Sequence, residues 1–274
     1  MTYTGGDALA DSLIRHGVED LFMIPGIQLD WAVEALRKRT DAIRLFVPRH
    51  EQTTTYMADG YYRASGRVGA AMVVPGPGAL NAGAGLATAY ASNSKLLFVT
   101  GQIHSSGVGK GCGLLHEIKD QTGFVRGLTK WNRFVDGPDA IGGAFDEAFS
   151  QVGTGRPRPV GIEIPHDYLS ASARSDDVTR PSGGAETAAA VDTASLQRAA
   201  ALIDGARLPV LYVGGGIVQA DAHEELLKFA ERTGIPVAMT LHGLGNFPGE
   251  HYLSLHMLGM HGTVYSNYAI NEAD

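Results

Sequence analysis

Short apolar runs that stop at glycine or proline and give way to helical sequence recur up to Pro165, and they constrain the fold more than any other feature. Leu21-Phe22-Met23-Ile24 stops at Pro25-Gly26, and Val68 to Val74 stops at Pro75-Gly76-Pro77-Gly78. Leu96 to Thr100 stops at Gly101-Gln102, Val160 to Ile164 at Pro165, and Arg44 to Val47 at Pro48. Runs this short read as buried strands. Between them lie helical segments. Asp7 to His16 sets Leu9, Leu13 and Ile14 on one side, and Leu29 to Arg39 carries Trp31, Val33 and Leu36. A third follows Glu51, and Asp139 to Ser150 is another. Ala82 to Tyr90 is a small-residue helix expected to pack closely on its sheet. Strand and helix in alternation predict an α/β protein, a doubly wound parallel sheet with helices on both faces.

Ile103 to Gln121 is polar and glycine-rich, and reads as a long loop of the functional or mobile kind. From Ser170 to Ala194 the sequence turns small and polar without period, which predicts a linker. The expected boundaries are a first domain over 1–173, the linker over 174–193, and a second α/β domain over 194–274. That second unit reads as a helix (Ser195 to Asp204), a strand (Pro209 to Val213), the turn Gly214-Gly215-Gly216, a helix (Ala222 to Thr233) and a strand (Ile235 to Thr240). A further strand is expected where the sequence stops at Asp274, so the second domain is read as incomplete.

Composition narrows the class of function. A net charge of −7 with no long basic run argues against nucleic acid as partner. No uninterrupted apolar run is long enough to span a bilayer, so no membrane is expected. The N-terminus lacks a signal peptide's basic and apolar regions. The single cysteine, Cys112, excludes an intrachain disulfide, and a cytoplasmic location fits.

Familiar motifs are missing. There is no G-x-G-x-x-G with its distant acid, no Walker sequence, no G-x-S-x-G, and no HExxH or CxxC spacing among the scattered histidines. No metal site is expected within the chain. What remains is a set of glycine-bearing turns that a doubly wound sheet would gather into one cleft, and Glu51 at the strand-to-helix junction Arg49-His50-Glu51-Gln52, with apolar sequence on both sides. Apolar surroundings suit a carboxyl for proton transfer; an acid in a helix's first turn also simply complements its dipole. Position alone leaves both readings open.

Arg49-His50-Glu51-Gln52, Ala58-Asp59-Gly60-Tyr61 and Ala64-Ser65-Gly66 closely resemble the pyrimidine-binding domain of thiamine-diphosphate enzymes, and most of all the acetolactate synthase (acetohydroxyacid synthase) group. Gly76-Pro77-Gly78-Ala79-Leu80-Asn81 is similar to that family's G-P-G-x-x-N turn, and Ile24-Pro25-Gly26 to its first cleft turn. Thr154-Gly155-Arg156-Pro157 and Ile164-Pro165 resemble the end of the domain, while Leu241 to Gly245 and Leu258 to Gly262 resemble the central domain. The resemblance implies that Glu51 hydrogen-bonds the aminopyrimidine ring of thiamine diphosphate and promotes the imino tautomer that starts its chemistry on a 2-oxo acid. It places Ile24, Pro25, Gly26, Pro77, Asn81 and His116 as cofactor-binding residues. Ile27, Gln28 and Leu115 become the substrate cleft. His116 stands where the family usually has glutamine, and as an imidazole it is a candidate acid or base beside Glu51.

Gly214, Gly215, Gly216, Thr240, Leu241, Leu258, Gly259, Met260 and His261 fall where acetolactate synthases bind FAD, and where relatives hold another nucleotide or nothing. The resemblance also implies Mg²⁺ with the diphosphate, held through a G-D-G motif that this sequence lacks. It implies a homodimer or homotetramer built through the pyrimidine-binding domain, with the diphosphate half on a longer chain or a separate one. Pro75, Gln28 and Thr53-Thr54-Thr55 depart from the family pattern. Carboligation, simple decarboxylation and C–C cleavage of a 2-oxo acid therefore all stay open, as does a non-catalytic subunit or nucleotide-binding module pairing with a larger enzyme.

Overall fold

The structure, a computed structural model, describes residues 2–174 and 191–274. The chain divides into two compact units, one before and one after the residues left undescribed. Most of the linker expected over 174–193 lies outside the described residues. Among those described, no helix is long and apolar enough to cross a membrane.

In chain order the first unit runs α1 (Gly5–Arg15), β1 (Asp20–Met23), α2 (Asp30–Arg37), β2 (Arg44–Phe46), α3 (Glu51–Ser65), β3 (Gly69–Val73) and α4 (Pro77–Ala91). It continues with β4 (Leu96–Gln102), α5 (Gln121–Leu128), β5 (Trp131–Phe134), α6 (Ile141–Gly153), β6 (Val160–Pro165) and α7 (His166–Ser170). The six strands make one sheet, parallel throughout, in the order β2-β1-β3-β4-β6-β5. Right-handed crossovers send a connection to one face when the chain steps one way along the sheet and to the other when it steps back. The steps β1 to β2 and β5 to β6 therefore put α2 and α6 on one face, where α1 joins them. The steps from β2 to β3, β4 and β5 put α3, α4 and α5 on the other. Packing follows this division, with α1 against α2 and α6, and α4 between α3 and α5.

The sheet separates two apolar layers. Leu97, Val99, Ala70 and Met72 point toward Leu9, Leu13, Leu36 and Phe145, whereas Leu96, Phe98, Ala71 and Val73 point toward Ala58, Ala82, Leu86 and Val125. Alternate residues of one strand thus feed opposite cores, which is why β3, and β4 from Leu96 to Val99, are apolar without interruption. The expected doubly wound α/β fold is the fold observed.

Local signals set the helix ends. Asp7 N–H donates to Thr4 Oγ1 (3.3 Å) while Thr4 N–H donates to Asp7 Oδ2 (3.0 Å), a reciprocal cap worth about 1 kcal/mol. Gly66, at φ +71°, closes α3 in the left-handed region. The α4 helix begins at Pro77 and not at Ala82, because a proline with its fixed φ is tolerated in a helix's first turn. Its small residues serve two surfaces. Ala79, Ala82 and Leu86 lie on the sheet as expected, but a Cβ at Gly85 would lie 2.2 Å from Thr55 Oγ1 of α3, and one at Gly83 would lie 2.8 Å from the Phe124 ring of α5. Close packing on the neighbouring helices is the stricter demand.

Other expectations need correction. The polar stretch expected as loop to Gln121 gives way there to α5 and then β5, neither of which shows in the apolar pattern: β5 is an edge strand, Trp131-Asn132-Arg133-Phe134, half-buried along its length. Trp31, counted among the apolar residues of its helix, is half exposed. Glu51 does not lie in dry apolar surroundings. It is half-buried, and Val47 before it is 60% exposed, because β2 is the opposite edge strand.

The second unit holds α8 (Thr193–Gly205), β7 (Leu211–Val213), α9 (Gly216–Ala220), α10 (His223–Thr233), β8 (Val237–Met239), β9 (Ser254–Met257) and α11 (Val264–Glu272). Its three strands are parallel in the order β7-β8-β9. β9 and α11 went unread because Ser254-Leu255-His256-Met257 mixes polar and apolar residues and is only half-buried.

The helix contact at Gly85 can be tested. Gly85→Val overpacks the α3–α4 contact, for which the expected loss is about 1–3 kcal/mol, visible as a lower Tm; a melt unchanged from wild type would show that the two helices separate freely.

Candidate active site

Strand order reverses between β1 and β3, since α2 leaves β1 toward one face and α4 leaves β3 toward the other. In open α/β sheets that reversal opens a crevice at the strands' carboxyl ends. Glu51 stands there as the first residue of α3. His50 caps the helix, its Nδ1 accepting from the Gln52 N–H at 3.2 Å. Thr54 and Thr55 are buried in the first turn and their hydroxyls donate to the Glu51 and Gln52 carbonyls, at 2.7 and 3.1 Å. Thr55 also donates across to the Ala82 carbonyl of α4 at 2.8 Å, fixing one helix start against the other. Across that contact the Asn81 Nδ2 donates to Glu51 Oε2 at 2.9 Å. Oε1 of Glu51 makes no hydrogen bond among the described residues.

The turns after β1 and β3 are pared to backbone around this carboxylate. A Cβ at Gly26 would stand 2.5 Å from Val74 Cγ1, and one at Gly78 would stand 2.7 Å from Val74 Cγ2 and 3.8 Å from Glu51 Cγ. Gly76 has φ +58°, and a Cβ there would strike the His116 carbonyl oxygen at 2.2 Å. That contact brings the loop after β4 onto the turn before α4. The structure therefore gathers Pro25-Gly26, Glu51, Gly76-Pro77-Gly78, Asn81 and His116 at one crevice, with Ile24 extending the β1–β3 pairing through its N–H to the Met72 carbonyl.

His116 holds φ +69°, in the left-handed region that few residues other than glycine adopt, and its Nδ1 is buried without a hydrogen-bond partner among the described residues. A left-handed backbone and an unpaired buried nitrogen at one residue are both costs that the described contacts do not repay. Beside it the Gln28 amide Nε2 donates to the Leu115 carbonyl at 3.2 Å, and its Oε1 is likewise buried and unpaired among the described residues. Ile27, Gln28, Ile103, His104, Leu114, Leu115 and His166 line a cavity of about 260 Å³. The three residues expected to form the substrate cleft share that cavity, joined by four that the sequence did not mark.

Beneath the crevice lies a polar network that sequence reasoning missed. Glu163 of β6 is fully buried, and its Oε2 accepts from the amides of Gln121 (3.1 Å) and Gln102 (3.4 Å). Gln121 Nε2 also donates to the Gly101 carbonyl (3.0 Å), and its Oε1 accepts from the Gly76 N–H (2.7 Å). Burial pushes the Glu163 carboxyl above the usual glutamate range, with the side chains of Gln121, Thr122 and Asn132 pulling it partly back. One signal was available: an acid in the middle of the apolar strand Val160-Gly161-Ile162-Glu163-Ile164 demands buried partners.

In the second unit the residues singled out also come together, at the carboxyl ends of adjacent strands. Thr240 N–H donates to the Val213 carbonyl, and Thr240 Oγ1 would lie 3.4 Å from a Cβ on Gly214. Leu258 N–H donates to the Met239 carbonyl, and Asn267 brackets Gly259 through both its N–H and its carbonyl. A Cβ on Gly216 would meet nothing, and Leu241 and Met260 are largely exposed. Three turns thus line one edge, open to solvent.

Comparison with known proteins gives the same two-part division. A family model described as thiamine pyrophosphate enzyme, N-terminal TPP binding domain, matches residues 3–124, and one described as thiamine pyrophosphate enzyme, central domain, matches residues 196–274. Acetolactate synthase 1, chloroplastic, of Zea mays is 40% identical over 273 residues, covering 98% of this chain and 42% of the relative. The acetolactate synthase catalytic subunit, mitochondrial, of Aspergillus candidus is 36% identical, covering 99% and 40%. The acetolactate synthase of Arthrospira platensis is 40% identical, covering 99% and 48%. The chain spans less than half the length of these relatives.

Glu163 generates a pH prediction. A carboxyl raised in the folded state holds its proton more readily there than in the unfolded chain. Its contribution to stability is then greatest below the ordinary glutamate range and declines as pH rises from that range to the raised value. Thermal melts from about pH 4 to 8 should show wild type losing stability relative to the non-ionising Glu163→Gln over that window. A difference flat in pH would refute the assignment.

Proposed function

Because this chain belongs to the thiamine pyrophosphate enzymes, of which it carries an N-terminal TPP-binding and a central domain, we propose that it supplies the pyrimidine-binding half of an acetolactate-synthase-like active site acting on a 2-oxo acid. The observation that carries the reading is the Glu51 carboxylate, held by Asn81 at the switch point among turns reduced to glycine. The crevice fits a flat, nitrogen-bearing ring: the turns around it are reduced to glycine and proline, and among the described residues Glu51 Oε1 accepts no hydrogen bond and the nearby His116 Nδ1 is buried without a partner.

Thiamine diphosphate, when bound, supplies the carbon nucleophile that attacks a ketone and accepts the electrons released with carbon dioxide. The chain's own part is to bind, orient and move protons. Asn81 occupies Oε2 of Glu51 and so presents Oε1 as the oxygen that exchanges a proton with a ring nitrogen. Pro25, Gly26 and Pro77 shape the faces on which a ring rests. His116, next to Leu115 of the cavity of about 260 Å³, is in our reading the imidazole that holds or delivers a proton to the substrate. Gln28, Ile27 and Leu115 shape the cavity that receives the substrate's side chain, an apolar space suited to a small 2-oxo acid. We assign the diphosphate and its Mg²⁺ to surfaces outside the described residues, in keeping with a chain that spans less than half of its relatives.

Glu51 is half-exposed in the single chain, and Val47, Tyr56 and Leu80 on the flanking elements are exposed apolar residues. That rim supports an assembly, a homodimer or higher, in which a second surface covers the site and dries it. In the second unit we propose FAD as the occupant of the three-turn edge formed by Gly214–Gly216, Thr240–Leu241 and Leu258–His261, whose open glycine backbone suits a nucleotide's phosphates and sugar. Flavin absorbance retained by the purified assembly and lost in Gly216→Phe is the expected result.

Glu51→Gln keeps the hydrogen bond from Asn81 but removes the exchangeable carboxyl proton. In the complete enzyme supplied with thiamine diphosphate, Mg²⁺ and pyruvate, turnover is expected to fall by about 10²- to 10⁴-fold with the fold intact. Wild-type turnover would end the proposed role.

A further inference from the structure

We infer that Gln121 is a positioning residue for the cofactor-facing turns, and that Glu163 acts through it by fixing which way its amide points. The inference rests on the proposed reading of the crevice, and it adds to that reading a clamp in the layer below. Four observations carry it. The first is polarity. Two of the three groups around the Gln121 amide can play one part only, since the Gly76 N–H donates and the Gly101 carbonyl accepts, and the third, Glu163 Oε2, accepts from the same amide. Only one of the two amide orientations satisfies all three, with Oε1 on Gly76 and both Nε2 hydrogens used. A flipped amide would set donor against donor at Gly76 and oxygen against oxygen at Gly101 and Glu163.

The second observation is burial. Gln121 is 3% exposed and Glu163 0%, so each broken bond leaves a polar atom with no water to replace it. The third is what the clamp grips. Gly76 is the residue before α4 and has no side chain of its own to cap that helix. Pro77 lacks an N–H altogether, and the Gly78 and Leu80 N–H groups bond within the turn to the Pro75 and Gly76 carbonyls, so the Gly76 N–H is what ties the turn carrying Pro77, Gly78 and Asn81 to Gln121. The fourth is reach. Through Gly101 the clamp holds the end of β4. Gln102 joins it, donating to Glu163 at 3.4 Å and accepting from the Ile103 N–H at 2.8 Å. Through Gly76 it holds the turn on which the His116 backbone lies. Gln121 also ends the stretch that carries Leu115 and His116, so one amide ties the turn of Pro77 and the loop of His116 to the floor of the sheet.

A carboxylate at position 163 is required for polarity, not for charge. Glu163→Gln keeps an acceptor and should preserve the clamp, while Glu163→Met fills similar volume without one and should release it. Gln121→Met removes the clamp directly. Amide hydrogen exchange on the full chain reads this without any cofactor. Gln121→Met is expected to speed exchange at Gly76 by about tenfold, with the amides of β1, β3 and α1 unchanged. Glu163→Met should do the same at Gly76 and Ile103, and Glu163→Gln should stay close to wild type. Gly76 exchange unchanged in Gln121→Met, or protection lost evenly through the whole unit, would overturn the clamp, the second outcome marking Gln121 as a general packing residue. The cofactor concentration giving half-saturation in the complete enzyme is the second readout. It should rise about tenfold in Gln121→Met and remain near wild type in Glu163→Gln. An unchanged value in Gln121→Met alongside faster Gly76 exchange would overturn the positioning role. A wild-type enzyme indifferent to thiamine diphosphate would instead sink the functional reading, leaving the exchange result to decide the clamp.

Discussion

Right-handed crossover connections in an all-parallel sheet determine nearly everything else about the first unit. Because the chain steps from β1 to β2 in one direction and then returns over β1 to β3, α2 and α3 must lie on opposite faces. The sheet is therefore buried on both sides, its central strands are mainly apolar on both faces, and the helix starts after β2 and β3 meet at one crevice. Glu51 and Asn81 belong to segments thirty residues apart in sequence, yet their bond is a direct consequence of that winding. The same rule keeps Glu51 near the edge, since β2 is outermost, which explains why a carboxylate flanked by apolar sequence is nevertheless half-exposed.

Within that frame, close approach does the fine positioning. The α3–α4 contact depends on Gly85 leaving room for Thr55, whose hydroxyl then bonds the Ala82 carbonyl one residue beyond Asn81. A larger residue at 85 would move the two helix starts, and hence the amide and the carboxylate, relative to each other. Gly26 and Gly78 work similarly against Val74, seating two turns on one side chain. The abundance of glycine in this chain thus has a definite use at a few positions: it permits backbone-to-side-chain distances that a Cβ would forbid.

The parts legible in the sequence were those whose cause is local. Continuous apolar runs announce buried strands, so β1, β3, β4 and β6 were found; glycine and proline after them announce turns; an acid just after a short strand announces a helix start, and Glu51 does begin α3. What escaped was held by distant partners. α5 and β5 have no apolar run because β5 is an edge strand with half-buried side chains. Gln121 looks like any polar residue at the end of a loop until the fold brings it against Gly76, Gly101 and Glu163, twenty to forty-five positions away. The opposite error, apolar surroundings expected around Glu51, came from reading neighbours in sequence as neighbours in space.

These two kinds of residue divide the work of a site. Glu51 and Asn81 meet at the crevice with the His116 backbone beside it, and the chemistry of such residues is visible in their side chains. Gln121 and Glu163 face the protein, and their contribution lies in the orientation they impose. A turn made of Gly76-Pro77-Gly78, with the compact proline ring its one side chain, leaves room for a ring to approach closely, and for the same reason it has little with which to hold itself in place. Some other part of the molecule must supply the rigidity that glycine gives up. A buried amide with fixed polarity does so with three hydrogen bonds and no steric bulk in the crevice, and a buried acceptor behind it keeps the amide from turning over. The cost is an acid carried into a wholly buried strand, which is why the Glu163 carboxyl is pushed upward.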